Sequence, residues 1–593
     1  MGQPEEIAID VNVNEAPTTL PSVGEKAGVE HLEHSPTTAS EANLTYDDVD
    51  EEPELHVRTY LALASIFMLV LAQTFALNGP PAVLSYIGKD LNNTAAEAWV
   101  PNALSLVQAV LGPLIASASD TFQARKTILV STCLISFIGA AIAPGAKDMY
   151  RLIAAQTLIG VGFAAVPMSY TVVSEILPRK WRPMAQSTMN VGASIGAITA
   201  PLIIGVLTRG DLWIQMALWG VTAMGIFFGY RPPVRHTRLD HLSLFQKIKS
   251  LDLIGFFLLT AGLTLFLTGL NLGGGLYTWT DAQVLGTLIS GLVVLLSFFL
   301  FEWKGTSTGI LHHELFTGGK EKGRTFAICT GLIFIEGIML FAVIIFYPVL
   351  TLNLFETDPL LLVARGQPFW IACVFSTLAY GYVSTKRRSI RAPMFVGFAI
   401  LTAGLIGLAT IQPDDSLNAI IFDGLAGIGF GAPLVLIVAG VQLSTPHHLI
   451  ATATAVTTSA RAVGATIFTA AFSAALSTRV AKYIPAYVPK AALGAGLPPS
   501  SIPAFIVALT GGDTAAISQV PGVTPVVIAA GVAALKQAFA DGIRVVYIIA
   551  VPFGVVACIA CFFVGDLRNV MNYRVDAPVE DLHHHKHKGD GDA

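Results

Sequence analysis

The amino-acid sequence predicts an all-α polytopic membrane protein made of two related halves, and three observations carry that expectation. Hydrophobic residues make up 53% of the 593-residue chain and charged residues only 13%, against roughly 25% charged in a soluble domain. Apolar runs of about 20 residues, the length that crosses a hydrocarbon layer, recur from Val57 almost to the C-terminus. Finally, Leu158-Ile159-Gly160-Val161-Gly162-Phe163-Ala164 returns as Leu425-Ala426-Gly427-Ile428-Gly429-Phe430-Gly431. The frame extends beyond the glycines at a spacing of about 267 residues, with Gln156 opposite Asp423 and Glu175 opposite Gln442, as duplicated membrane halves would give.

Taken in order, the apolar runs give about fourteen expected spans. The first six cover Val57 to Leu77, Ala98 to Ala118, Thr127 to Ala143, Leu152 to Val173, Ser187 to Leu207 and Trp213 to Gly229. Spans 7 and 8 cover Leu251 to Leu270 and Ala282 to Phe301. The last six cover Phe326 to Leu350, Phe369 to Val383, Pro393 to Ile411, Ala419 to Val441, Thr452 to Leu476 and Val545 to Val564. This divides the chain into a six-helix bundle over 57–230, loops with two additional spans over 231–324, and a second six-helix bundle over 325–564. Within the second bundle the Ala/Gly/Pro-rich segment 477–542 is expected as a loop on the opposite side from the termini. It serves either as a lid over the path or as short helices packed on the bundle.

Residues 1–56 are acidic, with the run Asp47-Asp48-Val49-Asp50-Glu51-Glu52, and poor in aromatics, so a disordered tail is expected. No basic, then apolar, leader precedes Val57, and the first span is expected to act as an uncleaved insertion signal. Residues 565–593 form a second tail carrying His583, His584, His585 and His587, read as a polar tail rather than a metal site. The net charge of −5 says little about partners because the acids concentrate in these tails.

Basic residues alternate from loop to loop. They follow spans 2, 4, 6, 8 and 10, as Arg125 and Lys126, then Arg179, Lys180 and Arg182, then Arg231 to Lys249, then Lys304 to Arg324, and finally Lys386 to Arg391. Those loops, and with them both termini, are expected in the cytoplasm, and the cell membrane is the expected location. Asn92, in an Asn-x-Thr sequon after span 1, then becomes a glycosylation candidate. The five cysteines, Cys133, Cys329, Cys373, Cys558 and Cys561, fall inside spans, so no disulfide framework is implied. Cys558-x-x-Cys561 lacks nearby His or carboxylate partners and is set aside as a metal pair.

The end of span 2 carries Gly112, Asp120, Arg125 and Lys126 at a short turn, where a carboxylate and bases pair and release. This stretch resembles the loop signature of the major facilitator superfamily, which implies a cytoplasmic gate formed by those four residues. The equivalent turn after span 10, Gly381 to Arg388, keeps the glycine and bases and lacks the acid. Gly192, Gly196, Ala200, Pro201 and Gly205 in span 5 resemble the glycine-proline signature of its antiporter branch. The two extra spans resemble the fourteen-span drug:proton antiporter group. Within that group Ser119-Asp120-Thr121-Phe122, Ser174 to Lys180 and Leu354 to Pro359 are most similar to the fungal trichothecene efflux pump family and its siderophore transporter neighbours. Two departures stand out: Gln123 and Ala124 replace a usual glycine and base, and Thr208 to Trp213 is shorter than the usual loop after span 5.

No phosphate-binding Gly-x-x-x-x-Gly-Lys loop is present, so an ion gradient rather than ATP is the expected energy source, and the chain is not expected to be an enzyme. Charges within spans are functional candidates by default. Glu336, Asp423, Glu175 and Arg461 are therefore the proton-coupling candidates. Gln73, Asn78, Gln108 and Asn190 are cavity candidates and are equally suited to bonding helices together. Few charges imply a cavity for a bulky apolar or amphipathic solute.

The resulting expectation is proton-coupled export of a toxin-like metabolite or drug. Proton-coupled ferric siderophore uptake and a non-transporting receptor are its alternatives. The expected partners are a small-molecule substrate, protons and the lipid bilayer. No cofactor, metal or nucleic acid is expected, and nothing fixes the oligomeric state, for which a monomer is the expectation.

Overall fold

A computed structural model describes residues 46, 48–82, 87–88, 91–93, 99–207, 211–233, 243, 246, 251–273, 277–306, 309–317, 322–511 and 514–582. Over the described residues each expected span is helical, span 4 being divided between two helices. The first half contains α1 (Val57–Ala82), α2 (Trp99–Phe122), α3 (Arg125–Ile142), α4 (Met149–Phe163), α5 (Val166–Ile176), α6 (Arg182–Leu207) and α7 (Asp211–Gly229). Then come α8 (Leu253–Asn271) and α9 (Ala282–Lys304). The second half contains α10 (Lys322–Leu354), α11 (Gln367–Arg387), α12 (Arg391–Ala409), α13 (Ser416–Ser444), α14 (Ile450–Gly494), α15 (Ile502–Gly511) and α16 (Pro525–Cys561). Among the described residues, 12 helices are long and apolar enough to cross a membrane. Expected spans 5 and 6 coincide with α6 and α7, which are not among those twelve, so length and composition alone do not establish a count of fourteen.

The packing repeats between halves. In the first, α1 packs on α6 and α7, α3 on α4 and α7, and α2 on α4. In the second, α10 packs on α14 and α16, α12 on α13 and α16, and α11 on α13. Each of these contacts has its counterpart in the other half, and the second half adds an extensive contact between α14 and α16. The halves meet where α2 touches α14 and where α6 touches α11, again counterparts. The additional pair α8 and α9 packs on itself, with α8 leaning on α2 and α14. On α9 the exposed residues Leu285, Ile289, Leu292, Leu296, Phe299 and Trp303 form one apolar stripe, a surface that lipid covers.

The duplicated glycines explain the repeated packing. A Cβ on Gly160 would meet Val107 and Leu104 of α2 at 2.9–3.2 Å, and one on Gly427 would meet the Phe369 carbonyl of α11 at 2.1 Å. At Gly429 the nearest atom is Leu401 N of α12, at 2.1 Å. Close approach of helix backbones is what a small residue provides here. Gly429→Ala is therefore expected to cost at least about 1–3 kcal/mol through overpacking, measured as a fall in the thermal midpoint of the purified protein. An unchanged midpoint would remove this account of the seam.

Two segments differ from the sequence expectation. Most of 477–542 is not a loop. Helix α14 runs 45 residues to Gly494, stopped only where Gly496 takes a left-handed φ of 97° and Leu497 N donates back to Ala492 O at 3.0 Å. Helix α16 starts at Pro525, well before Val545. The two overhangs and α15 share a small core of Val488, Ala492, Leu497, Phe505, Leu509 and Val527. Alanine-rich sequence makes helix as readily as loop, and the apolar side buried in this core decides between them.

The tails also depart from expectation. Residues 48–56 and 565–582 are ordered against one another, with Tyr46 bridged to Val575 and Tyr573 N donating to Val49 O at 3.3 Å. They lie with the turns after α2, α5 and α13 at one end of the bundle, called the basic end below. The histidines 583–585 and 587, and residues 208–210 of the short loop, lie outside the described residues.

Candidate functional site

The basic end is built around Arg125. Helix α2 stops at Phe122 because Gln123 takes φ 54°, and α3 starts at Arg125, which places Arg125 beside the last turn of α2. Arg125 Nη2 donates to Asp120 Oδ1 at 3.0 Å, and Arg125 Nη1 meets Glu175 Oε2 at the end of α5. The other Asp120 oxygen crosses to the second half, accepting from Thr452 N at 2.8 Å and Thr452 Oγ1 at 2.9 Å. All three charged side chains are almost fully buried. Two carboxylates thus share one guanidinium where α2 meets α14.

The left-handed φ at position 123 gives the departure from the family pattern a physical reading, since glycine adopts that conformation without strain. Gln123 tolerates it and donates from Nε2 to Asp120 O at 2.6 Å. The counterpart turn has the same shape, with Arg388 at φ 48° and its N–H on Ser384 O. Gln123→Val is expected to destabilise by about 1–2 kcal/mol, whereas Gln123→Gly is tolerated. Chemical or thermal unfolding of the pair checks this; equal loss in both would sink it.

A hydrogen-bonded layer around Gln442 joins the halves beside the Arg125 cluster. Gln186 Nε2 donates to Ser174 Oγ at 2.7 Å and to Gln442 Oε1 at 3.1 Å, and Ser174 Oγ also contacts Gln442 Oε1. Arg182 Nη1 donates to Gln442 O at 2.6 Å. At the other seam Ser187 Oγ donates to Thr377 O at 2.8 Å. Gln442 is the internal counterpart of Glu175, and an amide here bonds both halves with no buried charge to compensate.

Deeper in the protein, Arg461 Nε of α14 donates to Glu336 Oε2 of α10 at 2.6 Å, with the Glu336 side chain fully buried. Among the described residues, Glu336 Oε1 and Arg461 Nη2 have no hydrogen-bond partner, so the pair keeps one acceptor and one donor in hand. Tyr170 of α5 lies within electrostatic reach of both charges and donates from its hydroxyl to Asn190 Oδ1 at 3.3 Å. The pair therefore stands where the second half faces the first. A buried carboxylate with one cationic partner has the chemistry to exchange that partner for a proton.

The other candidates are dispersed. Glu175 belongs to the Arg125 cluster rather than to Glu336. Asp423 is buried apart from both, accepting from Phe369 N at 3.2 Å near the start of α11, where a helix N-terminus favours a carboxylate. Lys126 lies over the Phe227 ring at 5.0 Å and outside the ion-pair cluster. Gly112 is eight residues before Asp120, about 12 Å along α2, and is not brought to the Arg125 cluster. Gln73 bonds Gly162 O at 3.0 Å inside the first half, and Asn78 bonds its own helix at Thr74 O, so both act between or along helices. Gln108 is half-buried, while Asn190 is buried with Tyr170. Asn92 is exposed in a turn, and the threonine of its sequon lies outside the described residues. Among the described residues no group of three or more His, Cys, Asp or Glu is placed to hold a metal.

Sequence reasoning missed Asp576. Its carboxylate receives Arg179 Nε at 3.1 Å and Nη2 at 2.5 Å, and also binds Arg182. Burial alone would push its carboxyl up, but the Arg182 charge, the Arg179 hydrogen bond and His447 outweigh that and hold it well below the usual range. A depressed carboxyl contributes stability that is present above the unfolded value, about 3.9, and is lost only as pH falls through the lower folded value. The stability difference between wild type and Asp576→Asn is thus expected to be present at pH 8 and no smaller at about pH 5, above the window in which the carboxyl takes up protons, because His447 adds attraction when it is charged. Thermal midpoints across that range test it; a difference vanishing by pH 6 would contradict it.

Comparison with known proteins adds to this geometry. A family profile described as fungal trichothecene efflux pump (TRI12) matches residues 22–593. The trichothecene efflux pump TRI12 of Fusarium sporotrichioides is 24% identical over 556 residues, covering 90% of this chain and 91% of that pump. The MFS-type transporter prx5 of Penicillium rubens is 28% identical over 455 residues, 74% of this chain and 80% of the relative. Among solved structures, the major facilitator superfamily proton:xylose symporter XylE, bound to 6-bromo-6-deoxy-D-glucose, superposes with a TM-score of 0.51. At 11% identity, over 86% of this chain and 98% of that one, the likeness is one of fold.

Proposed function

This chain belongs to the fungal trichothecene efflux pump family, and from that premise we propose that it exports a bulky apolar or amphipathic compound across the plasma membrane in exchange for protons. The coarser statement, a multi-pass membrane efflux transporter of the major facilitator superfamily, follows from family and fold, which are those of transporters rather than enzymes. Proton exchange is supported by one observation above the rest: the buried Glu336–Arg461 pair facing Tyr170 of the other half. In this reading a proton taken up by Glu336 frees Arg461, the two halves rock around that site, and solute and proton leave in opposite directions. Asp120, Arg125 and Glu175 hold the cytoplasmic side closed while the site faces outward.

The test is accumulation of a labelled hydrophobic toxin and of a labelled ferric siderophore in cells with and without the protein, each with and without a protonophore. Lower toxin accumulation that the protonophore abolishes is the expected result. A rise in siderophore instead would replace export with uptake, and ligand binding without net flux in vesicles would leave a receptor.

A further inference from the structure

We propose that residues 572–580 are a latch that bridges the two halves and holds the basic end shut. The segment joins one half to the other. Just before it, Gly565 N donates to Thr325 Oγ1 of α10 in the second half at 3.0 Å, and Val564, Leu567 and Met571 are buried. From Asn572 onward the segment contacts the first half. Lys180 N donates to Asn572 O at 2.8 Å, Arg179 N to Arg574 O at 3.0 Å, and Ala577 N to Glu175 O at 2.8 Å. Lys180 Nζ donates to the Tyr573 hydroxyl at 2.6 Å, and Glu580 accepts from His56 N at 2.8 Å at the start of α1.

Asp576 is the centre of this contact. It lies on Arg179 and Arg182 of the first half while His447 of the second stands 3.9 Å away, beside a cavity of about 210 Å³ walled by residues of both halves. The segment thus ties the second half, through Gly565 on Thr325 and His447 beside Asp576, to the first, through Arg179, Arg182 and Glu175. Parting the halves at this end works against those contacts. The proposal rests on alternating access between the halves and not on the solute or on proton coupling.

The experiment places spin labels at Thr127 and Arg387, exposed positions on opposite halves near the basic end, in a cysteine-replaced protein in lipid nanodiscs. Distance distributions are compared for the parent, Asp576→Ala, Asp576→Glu and a chain ending at Met571. The parent is expected to give mainly the short distance. Asp576→Ala and the shortened chain should raise the long-distance fraction at least threefold, and Asp576→Glu, which keeps the charge, should stay closer to the parent. Gel filtration and thermal unfolding establish that each variant is folded. If the long fraction stays unchanged in both loss variants while Arg125→Ala raises it, the latch is overturned and alternating access stands. If no variant and no pH yields a second distance, alternating access fails and takes the latch with it.

Discussion

Glu336→Gln is expected to reduce gradient-driven efflux to the level of cells lacking the protein while leaving the folded protein in the membrane. Glutamine keeps the shape and an acceptor for Arg461 Nε, now 2.6 Å from the carboxylate, and removes only the group that binds a proton. Counterflow exchange of labelled for unlabelled solute, which needs no net proton movement, should survive. This split between driven flux and exchange separates a coupling role from a structural one. A variant that still pumps against a gradient would end the assignment of Glu336, and one lacking both activities would point to lost folding or substrate binding. Arg461→Lys, which keeps charge but not the guanidinium fork, is expected to be intermediate.

The second large effect concerns Arg125. Removing it as Arg125→Ala leaves Asp120 and Glu175 buried with no cation between them. An uncompensated buried charge costs about 3–5 kcal/mol, so a marked fall in thermal midpoint is expected. Neutralising an acid in the same background, as Arg125→Ala with Glu175→Gln, should recover part of the loss, and the double-mutant cycle gives the coupling energy directly. Additive losses would mean that the three side chains do not act as a unit.

The sequence was most legible where membrane physics leaves few choices. Span positions follow from apolar length, and the repeated glycine motif announced two halves because the same close helix approach was needed twice, at Gly160 and Gly427. Glu336 and Arg461 were legible as candidates because charges inside spans are rare, and the structure pairs them. The partner of Glu175 was not legible, because depth in a span says nothing of which neighbour faces a side chain, and it is the turn at Gln123 that brings Arg125 to it. Gln73 was ambiguous for a related reason: an amide that bonds a neighbouring helix and one that faces a cavity have the same local sequence. The ordered 572–580 segment was hidden altogether, since a short polar tail carries no periodicity and its structure depends on Arg179, almost four hundred residues away, with the Arg179 to Asp576 bond as its centre.

The length of α14 has a mechanical consequence. Forty-five residues make a rod of about 68 Å, more than twice the roughly 30 Å of hydrocarbon it crosses. The rod starts at Ile450, beside the Thr452 contact to Asp120, carries Arg461 eleven residues along, and ends in the small core around Phe505. Its first turns therefore carry the Asp120 contact and the ion pair, and the same helix continues to the core around Phe505 at its far end. A tilt of the helix at the first is a displacement at the second.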